Sequence, residues 1–311
     1  VVPLTLAIIF VLLYLNFHPC DEDGTRLGDG LRVLFGAGVS ALDKAAANLT
    51  IWLTSHTDLP FMDNAPQRYV AHLDILGMRA LTNRDHQEAW QMLSALEIAL
   101  TRSTRITIVS ESFADPIHIP EMVKSVVFSD TIIIYSNADS PRDFLAIFTA
   151  VVNLFSKALH LRVPIRIGIS KGIFYADEQR SMYAGPALIE AYDIGEASQW
   201  LGIVLSASAA KDAIAQNLQK GTSNIVVDWD VPTKNGTVKA SVANWPVALE
   251  DSFKIPPPLT EQELYQIFEE YYGPFSMLRE SDARKYINTV KFINEQYALH
   301  KQASPPAEPE R

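Results

Sequence analysis

Runs of apolar positions divide the 311 residues into recognisable segments. Residues 1–17 are apolar on every side, and no charge appears before Asp21. At 1.5 Å rise per residue, about seventeen residues is the lower limit for spanning a bilayer core, so a single transmembrane helix is expected within residues 1–20. Arg26, Arg32 and Lys44 follow it, which sets the main body on the cytoplasmic side of that span. Residues 21–30 are polar and glycine-rich, a linker. From Leu31 to Leu53 apolar residues recur at helical spacing (Leu34, Phe35, Val39, Leu42, Ala46, Leu49), predicting a helix over 31–54 suited to pairing with its twin in a dimer.

Beyond Pro60 and Pro66 the period changes. Strands are predicted at 69–75, 123–128, 131–135, 163–172, 203–206, 225–231 and 238–247, the last two joined by an Asn235-Gly236 turn. Helices are predicted at 85–102, 141–159, 185–200 and 208–218, and a further helical segment, polar on one face, at 261–302. The tail from 303, rich in Pro and Glu, has the composition of a disordered segment. Strand–helix–strand–strand–helix–strand is the order of a ferredoxin-like antiparallel sheet with flanking helices, an α+β core over 67–250, preceded by the transmembrane helix and a linker with helix (21–66) and followed by a helical extension (251–311).

Two of the predicted strands carry an unexpected charge. Asp74 lies in Tyr69-Val-Ala-His-Leu-Asp-Ile-Leu-Gly-Met78, and Asp130 in Val126-Val-Phe-Ser-Asp-Thr-Ile-Ile-Ile-Tyr135, each where alternation calls for an apolar residue. A buried carboxylate is costly unless paired, hydrogen-bonded or bound to metal. Two beside aliphatic runs point to a shared site for a hard divalent cation, which takes carboxylate and phosphate oxygens. His72, two residues before Asp74, points to the same strand face. A net charge of -10 excludes a nucleic-acid backbone as the main partner. The lone Cys20 excludes an internal disulfide framework and a cysteine-rich zinc site.

Four pieces in order, His72-Leu-Asp-Ile-Leu-Gly77, Phe128-Ser-Asp-Thr-Ile132, Arg166-Ile-Gly-Ile-Ser-Lys-Gly172 and Gly185-Pro-Ala-Leu-Ile-Glu-Ala-Tyr192, resemble the class III nucleotidyl cyclases over roughly residues 67–250. The resemblance implies two divalent cations, manganese or magnesium, on Asp74, Asp130 and the Ile75 carbonyl. It implies a triphosphate cradled by backbone N–H groups of Leu76-Gly-Met-Arg-Ala80, with Arg79 as a phosphate ligand, and a site completed in a homodimer. The family's purine-reading positions fall on Val126 and Met182, both apolar here, and its transition-state Asn and Arg positions fall on Ile189 and Asp193. Those departures resemble the pyrimidine cyclases of the bacterial Pycsar antiphage system. That closer resemblance implies UTP or CTP as substrate, cyclic UMP or cyclic CMP as product, and a separate effector that the product activates; the apolar residues 1–17, which a soluble defence cyclase would not need, place the chain at the bacterial inner membrane. His72 is then a candidate base or phosphate contact, and Arg166 or Lys171 a replacement for the missing arginine. Two rivals stay open: a purine cyclase with an unusual pocket, and a catalytically silent nucleotide-binding module.

Overall fold

The alternation around Asp74 builds the centre of the molecule. In the computed structural model, residues 65–109, 115–219, 224–248 and 257–303 are described. The expected transmembrane helix, the helix over 31–54 and the tail from 304 lie outside the described residues. In chain order the elements are β1 (Gln67–Ile75), α1 (Met78–Arg84), α2 (His86–Thr104), β2 (Thr107–Ile108), β3 (Ile117–His118), α3 (Ile119–Met122), β4 (Val123–Phe128), β5 (Thr131–Ser136), α4 (Pro141–His160) and β6 (Ile165–Ile173). Then come β7 (Tyr175–Asp177), β8 (Met182–Ala184), α5 (Pro186–Ala197), β9 (Ile203–Leu205), α6 (Ala207–Ala215), β10 (Val226–Thr233), β11 (Gly236–Ala243), α7 (Trp245–Ala248), α8 (Glu261–Tyr265), α9 (Glu269–Tyr272), a 3-10 turn (Phe275–Met277) and α10 (Glu280–Ala303).

Seven strands form one sheet in the order β10-β11-β9-β6-β1-β5-β4. Its β6-β1-β5-β4 half is antiparallel throughout, the arrangement expected for the strand–helix–strand–strand–helix–strand core. The whole sheet is mixed, because α5 carries the chain from β6 to a parallel β9, a crossover that a hairpin cannot make. The fold is thus mixed α+β, a central sheet with helices on its faces.

Side chains alternate across β1. Tyr69, Ala71, Leu73 and Ile75 enter the main core under α2 and α4, whereas Val70 enters a second, smaller cluster with Tyr135, Phe174 and Ala187. The α4 helix starts on a Ser140 capping box with Pro141 in its first turn, which satisfies backbone donors that a helix start leaves open. Among the described residues it is the helix long and apolar enough to cross a membrane, yet Phe144, Ile147, Val151, Leu154 and Phe155 are wholly buried in the main core. On the second face α5 lies against β6 and β1. Contact this close needs small residues: a Cβ on Gly168 would stand 2.1 Å from the Ala191 carbonyl oxygen.

Two expectations change. The predicted late strand over 238–247 ends at Ala243, where Trp245 starts a short helix. The single helix over 261–302 is four pieces, because Gly273 takes φ 79 and Pro274 follows it. The small hairpins β2–β3 and β7–β8 had no alternation long enough to show.

Gly168→Ala is expected to cost about 3 kcal/mol through overpacking against α5, on the order of 10 °C in Tm for a chain of this size. Thermal unfolding followed by circular dichroism checks it, and an unchanged Tm would mean that α5 yields freely.

Candidate active site

The site grows from one end of β1. Asp74 pairs across the sheet with Thr131 of β5 and with Arg166 of β6, so its carboxylate and the Arg166 guanidinium rise on the same face. Asp130 is the last residue of the two-residue turn between β4 and β5, and its carbonyl accepts a hydrogen bond from the Ile75 N–H at 3.1 Å. The two carboxylates therefore come from adjacent strand ends locked together by backbone. Neither is buried as the alternation implied: Asp74 keeps 25% of its side chain exposed and Asp130 is half-buried. Asp130 stands in a turn because Ser129 takes φ 56 and closes the hairpin there.

Arg166 is the buried member, 6% exposed. Its Nε donates to Asp74 Oδ2 at 2.8 Å. Its Nη1 donates to the carbonyls of Glu196 at 3.0 Å and Ser198 at 3.3 Å, and its Nη2 to the Glu196 carboxylate. Glu196 in turn pairs with Lys234 on the β10–β11 turn. Asp74–Arg166–Glu196–Lys234 is thus a charge chain of alternating sign that ties β1, β6, the end of α5 and the outer hairpin. A cation at a helix C-terminus also meets the negative end of the helix dipole. For Glu196, burial alone raises the carboxyl, but the Lys234 hydrogen bond and the Arg166 charge outweigh it and hold the group below its ordinary 4.5.

His72 lies on the same face, 8% exposed, its ring edge-on to Tyr192 at 5.1 Å. Burial pushes its imidazole below the ordinary value; the Asp74 charge opposes this, the Arg166 charge adds to it, and Glu196 and Asp130 oppose it more weakly. His72, Asp74 and Arg166 lie on one face at this end of the sheet, and Asp130 is tied to it through the Ile75 N–H. Arg166, however, points at Asp74 and the end of α5, so it positions the carboxylate and makes no free cation on the face.

The other candidates are spread out. Arg79 is exposed on α1. That helix starts at Gly77 with φ 78 and no side-chain cap, so the Met78, Arg79 and Ala80 N–H groups have no intrahelical partner. The Ile75 and Leu76 N–H groups are already taken, by the carbonyls of Asp130 and Pro164. Val126 is half-buried against the second cluster beside Tyr183, and Met182, next in the chain to Tyr183, is 60% exposed. The β7–β8 hairpin that carries Met182 is held over the sheet by Glu178, which takes Lys124 at 2.5 Å and the Tyr135 hydroxyl at 3.2 Å. Lys171 sits at the far end of β6, opposite Tyr69, paired with Asp212 at 3.0 Å and Asp139 at 3.3 Å. It belongs to a separate network with the Tyr69 hydroxyl, which donates to Asp212 at 2.7 Å. Ile189 and Asp193 are both exposed on α5. A cleft of about 680 Å³ opens between α5 and the β9–β11 edge, lined by Asp193, Ser206, Val231 and Lys239 among others, and it includes none of the clustered residues.

Glu196 and Lys234 were not singled out from the sequence. Glu196 closes the helix motif, but no spacing rule ties a helix end to a strand residue 30 positions earlier.

The donor set fits a divalent cation in part. Among the described residues no three His, Cys, Asp or Glu side chains converge as a metal cage. Asp74 gives Oδ2 to Arg166 and keeps Oδ1, and Asp130 makes no protein hydrogen bond or ion pair through its carboxylate among the described residues. Two open carboxylates and a carbonyl are what magnesium or manganese takes when substrate phosphates complete its shell.

No family model matches the chain, and no curated protein matches it. Solved structures do. One is the catalytic core of a rhodopsin-guanylyl cyclase with converted specificity in complex with ATPαS, at TM-score 0.40 and 11% identity over 58% of this chain and 95% of that one. Another is an adenylate cyclase from Trypanosoma brucei, at TM-score 0.38 and 14% identity over 61% and 94%. A third is a bacterial light-regulated adenylyl cyclase, at TM-score 0.42 and 11% identity over 76% and 70%.

Arg166→Met is expected to destabilise the protein by about 3 kcal/mol, since it leaves two carboxylates facing each other without their cation, and Arg166→Lys is expected to recover less than half, because one ammonium cannot reach four acceptors. Urea unfolding measures both. Glu196→Gln tests the pH side. A carboxyl held low in the fold contributes stability above its unfolded value and loses it as pH falls through the folded one. The cost of Glu196→Gln should therefore be full at pH 7 and shrink below about pH 4.5; a cost independent of pH from 3 to 7 would refute the Glu196 pairing.

Proposed function

We propose that the protein is a two-metal nucleotidyl cyclase that converts a pyrimidine nucleoside triphosphate, UTP or CTP, to its 3′,5′-cyclic monophosphate and pyrophosphate. The observation that carries this is the meeting of Asp74 and Asp130 at one sheet end, open to solvent, beside the uncapped start of α1. In the reaction the ribose 3′-oxygen attacks the α-phosphorus, the bond to pyrophosphate breaks, and the hydroxyl proton passes to solvent. Divalent cations, magnesium or manganese, held by Asp74, Asp130 and the Ile75 carbonyl would neutralise the triphosphate and ease loss of that proton. The chain's own groups supply position. Arg166 fixes Asp74 through Oδ2 and leaves Oδ1 outward. The free N–H groups of Met78, Arg79 and Ala80, with the Arg79 side chain, suit phosphate oxygens.

Base choice is argued from what is missing. Val126 and Met182 offer no donor or acceptor to a purine edge, and a site without the polar partner of a base does not select that base strongly. The exposed Tyr192, with the buried His72 edge-on beneath it, supplies an aromatic surface on this side. Phe128, Met182, Ile189 and Tyr192 are all large, apolar and exposed, which supports a second copy of the chain covering this side in a two-fold homodimer. Anchoring through residues 1–20 at a bacterial inner membrane, with a cytoplasmic catalytic domain and an antiphage role exercised through a separate effector, completes the proposal. It rests on the apolar segment and on the motif resemblance.

One observation favours a second reading, a nucleotide-binding module without turnover: α5 presents Ile189 and Asp193 where the cyclase pattern has Asn and Arg, and Arg166 is fully engaged.

Incubation of the purified full chain with ATP, GTP, CTP or UTP plus manganese, with products read by mass spectrometry, is expected to give cyclic UMP or cyclic CMP. Asp74→Ala and Asp130→Ala should each lower the rate more than about 100-fold, since even outer-shell changes at metal sites cost 10–100-fold. A purine cyclic product would overturn the base assignment. Nucleotide binding with no product would favour the silent module.

A further inference from the structure

The segment that carries the proposed metal ligands is gripped from outside the cyclase-like core, by the C-terminal helices α9 and α10. Two separate contacts do this. The first runs through residues 198–201, directly after α5. There Leu201 N–H donates to Thr289 Oγ1 at 2.8 Å, and Asn288 Nδ2 donates to the Gln199 carbonyl at 2.7 Å. Between them Trp200 is wholly buried, 4.8 Å from Phe292 of α10. The Ser198 carbonyl at the head of this segment is one of the acceptors holding Arg166, and Arg166 holds Asp74. The second contact is on the other side of the ligands. Gly77 takes φ +78, and a Cβ there would stand 2.8 Å from Tyr272 Cε1, so the Tyr272 ring is seated on the turn that follows Ile75. Around it the Tyr271 carbonyl accepts from Arg84 of α1 at 2.5 Å, and Glu270 pairs with Arg162 just before β6.

We propose that Thr289 and Tyr272 are positioning residues for the Asp74 site: the C-terminal helices set where Asp74 and the start of α1 stand, Thr289 through the 198–201 segment and Arg166, Tyr272 through Gly77. Neither side chain belongs to the carboxylate cluster. The placement is economical in physical terms. Asp74 is the penultimate residue of β1, and the chain leaves the sheet at Gly77 into α1, a two-turn helix whose start has no side-chain cap, so the turn itself has little local structure to hold it. A ligand held loosely loses metal affinity, because ordering it is then charged against binding. The inference rests on the proposed metal site for its functional consequence, and on hydrogen bonds and ring packing for its mechanical part.

The experiment uses the purified full chain and two readouts: amide exchange of residues 70–80 by mass spectrometry, without metal, and manganese affinity by electron paramagnetic resonance. Thr289→Val and Tyr272→Ala should each speed exchange of that peptide and weaken manganese binding about tenfold. Thr289→Ser keeps the hydroxyl and Tyr272→Phe keeps the ring, and both should return to wild-type values. Ile147→Val, a core change in α4, serves as the control for simple loss of stability and should move neither readout. Faster exchange confined to the Val and Ala variants, with rescue, supports the proposal. Unchanged exchange in them, or equal change in the control, overturns it. If the wild type binds no manganese that Asp74→Ala removes, the metal reading fails, and the exchange data still decide the positioning role.

Discussion

A guanidinium taken out of water must find acceptors for its donors, and Arg166 finds four, in two carboxylate oxygens and two carbonyls. Much of the rest follows from this. A buried cation with a missing acceptor is far costlier than one fully bonded, so the acceptors are held in place as firmly as the cation. Asp74 must sit opposite Arg166, which sets the β1–β6 register. The α5 helix must end where its last carbonyls reach Nη1, which sets its length and tilt. Lys234 must come close to Glu196, which draws the β10–β11 hairpin toward the same corner.

Small residues make that corner reachable. Gly168 and Gly195 face each other between β6 and α5 with no room for a side chain on Gly168. Close approach there lets α5 cover β6 and β1, while the β7–β8 hairpin covers Tyr135 of β5 on the same face. Arg166 thus sits in a packed interior, whereas Phe128 at the end of β4 is exposed and Asp130 half-buried. Asp74, with 25% of its side chain exposed, lies between them.

The legible part of this was the part with a short period. Alternation along β1, β5 and β6, helical spacing along α2 and α4, and the Asn235-Gly236 turn all declared themselves locally, and so did the oddity of Asp74 and Asp130. What the sequence did not show are relations between distant residues. Nothing local tells that Arg166 spends itself on the end of α5 instead of facing a substrate, that Lys171 answers Asp212 and Asp139, or that Glu196 matters at all. The same holds for the break in the C-terminal helix. Gly273 and Pro274 were visible, but a polar, helix-forming run on both sides masked them, and only docking of Tyr265, Phe268 and Phe292 into the main core requires the chain to turn there.

Charge balance gives the site its direction. The chain Asp74–Arg166–Glu196–Lys234 is neutral as a unit, two carboxylates against two cations. Asp130 stands outside it, beside a His72 whose imidazole is pushed toward its neutral form. The Asp130 carboxylate has no cation partner among the described residues, and its backbone carbonyl is tied to the Ile75 N–H next to Asp74. Beyond Gly77 the first N–H groups of α1 have no intrahelical partner. Stability thus accounts for Arg166, whereas the Asp130 carboxylate takes no part in the network that holds this corner.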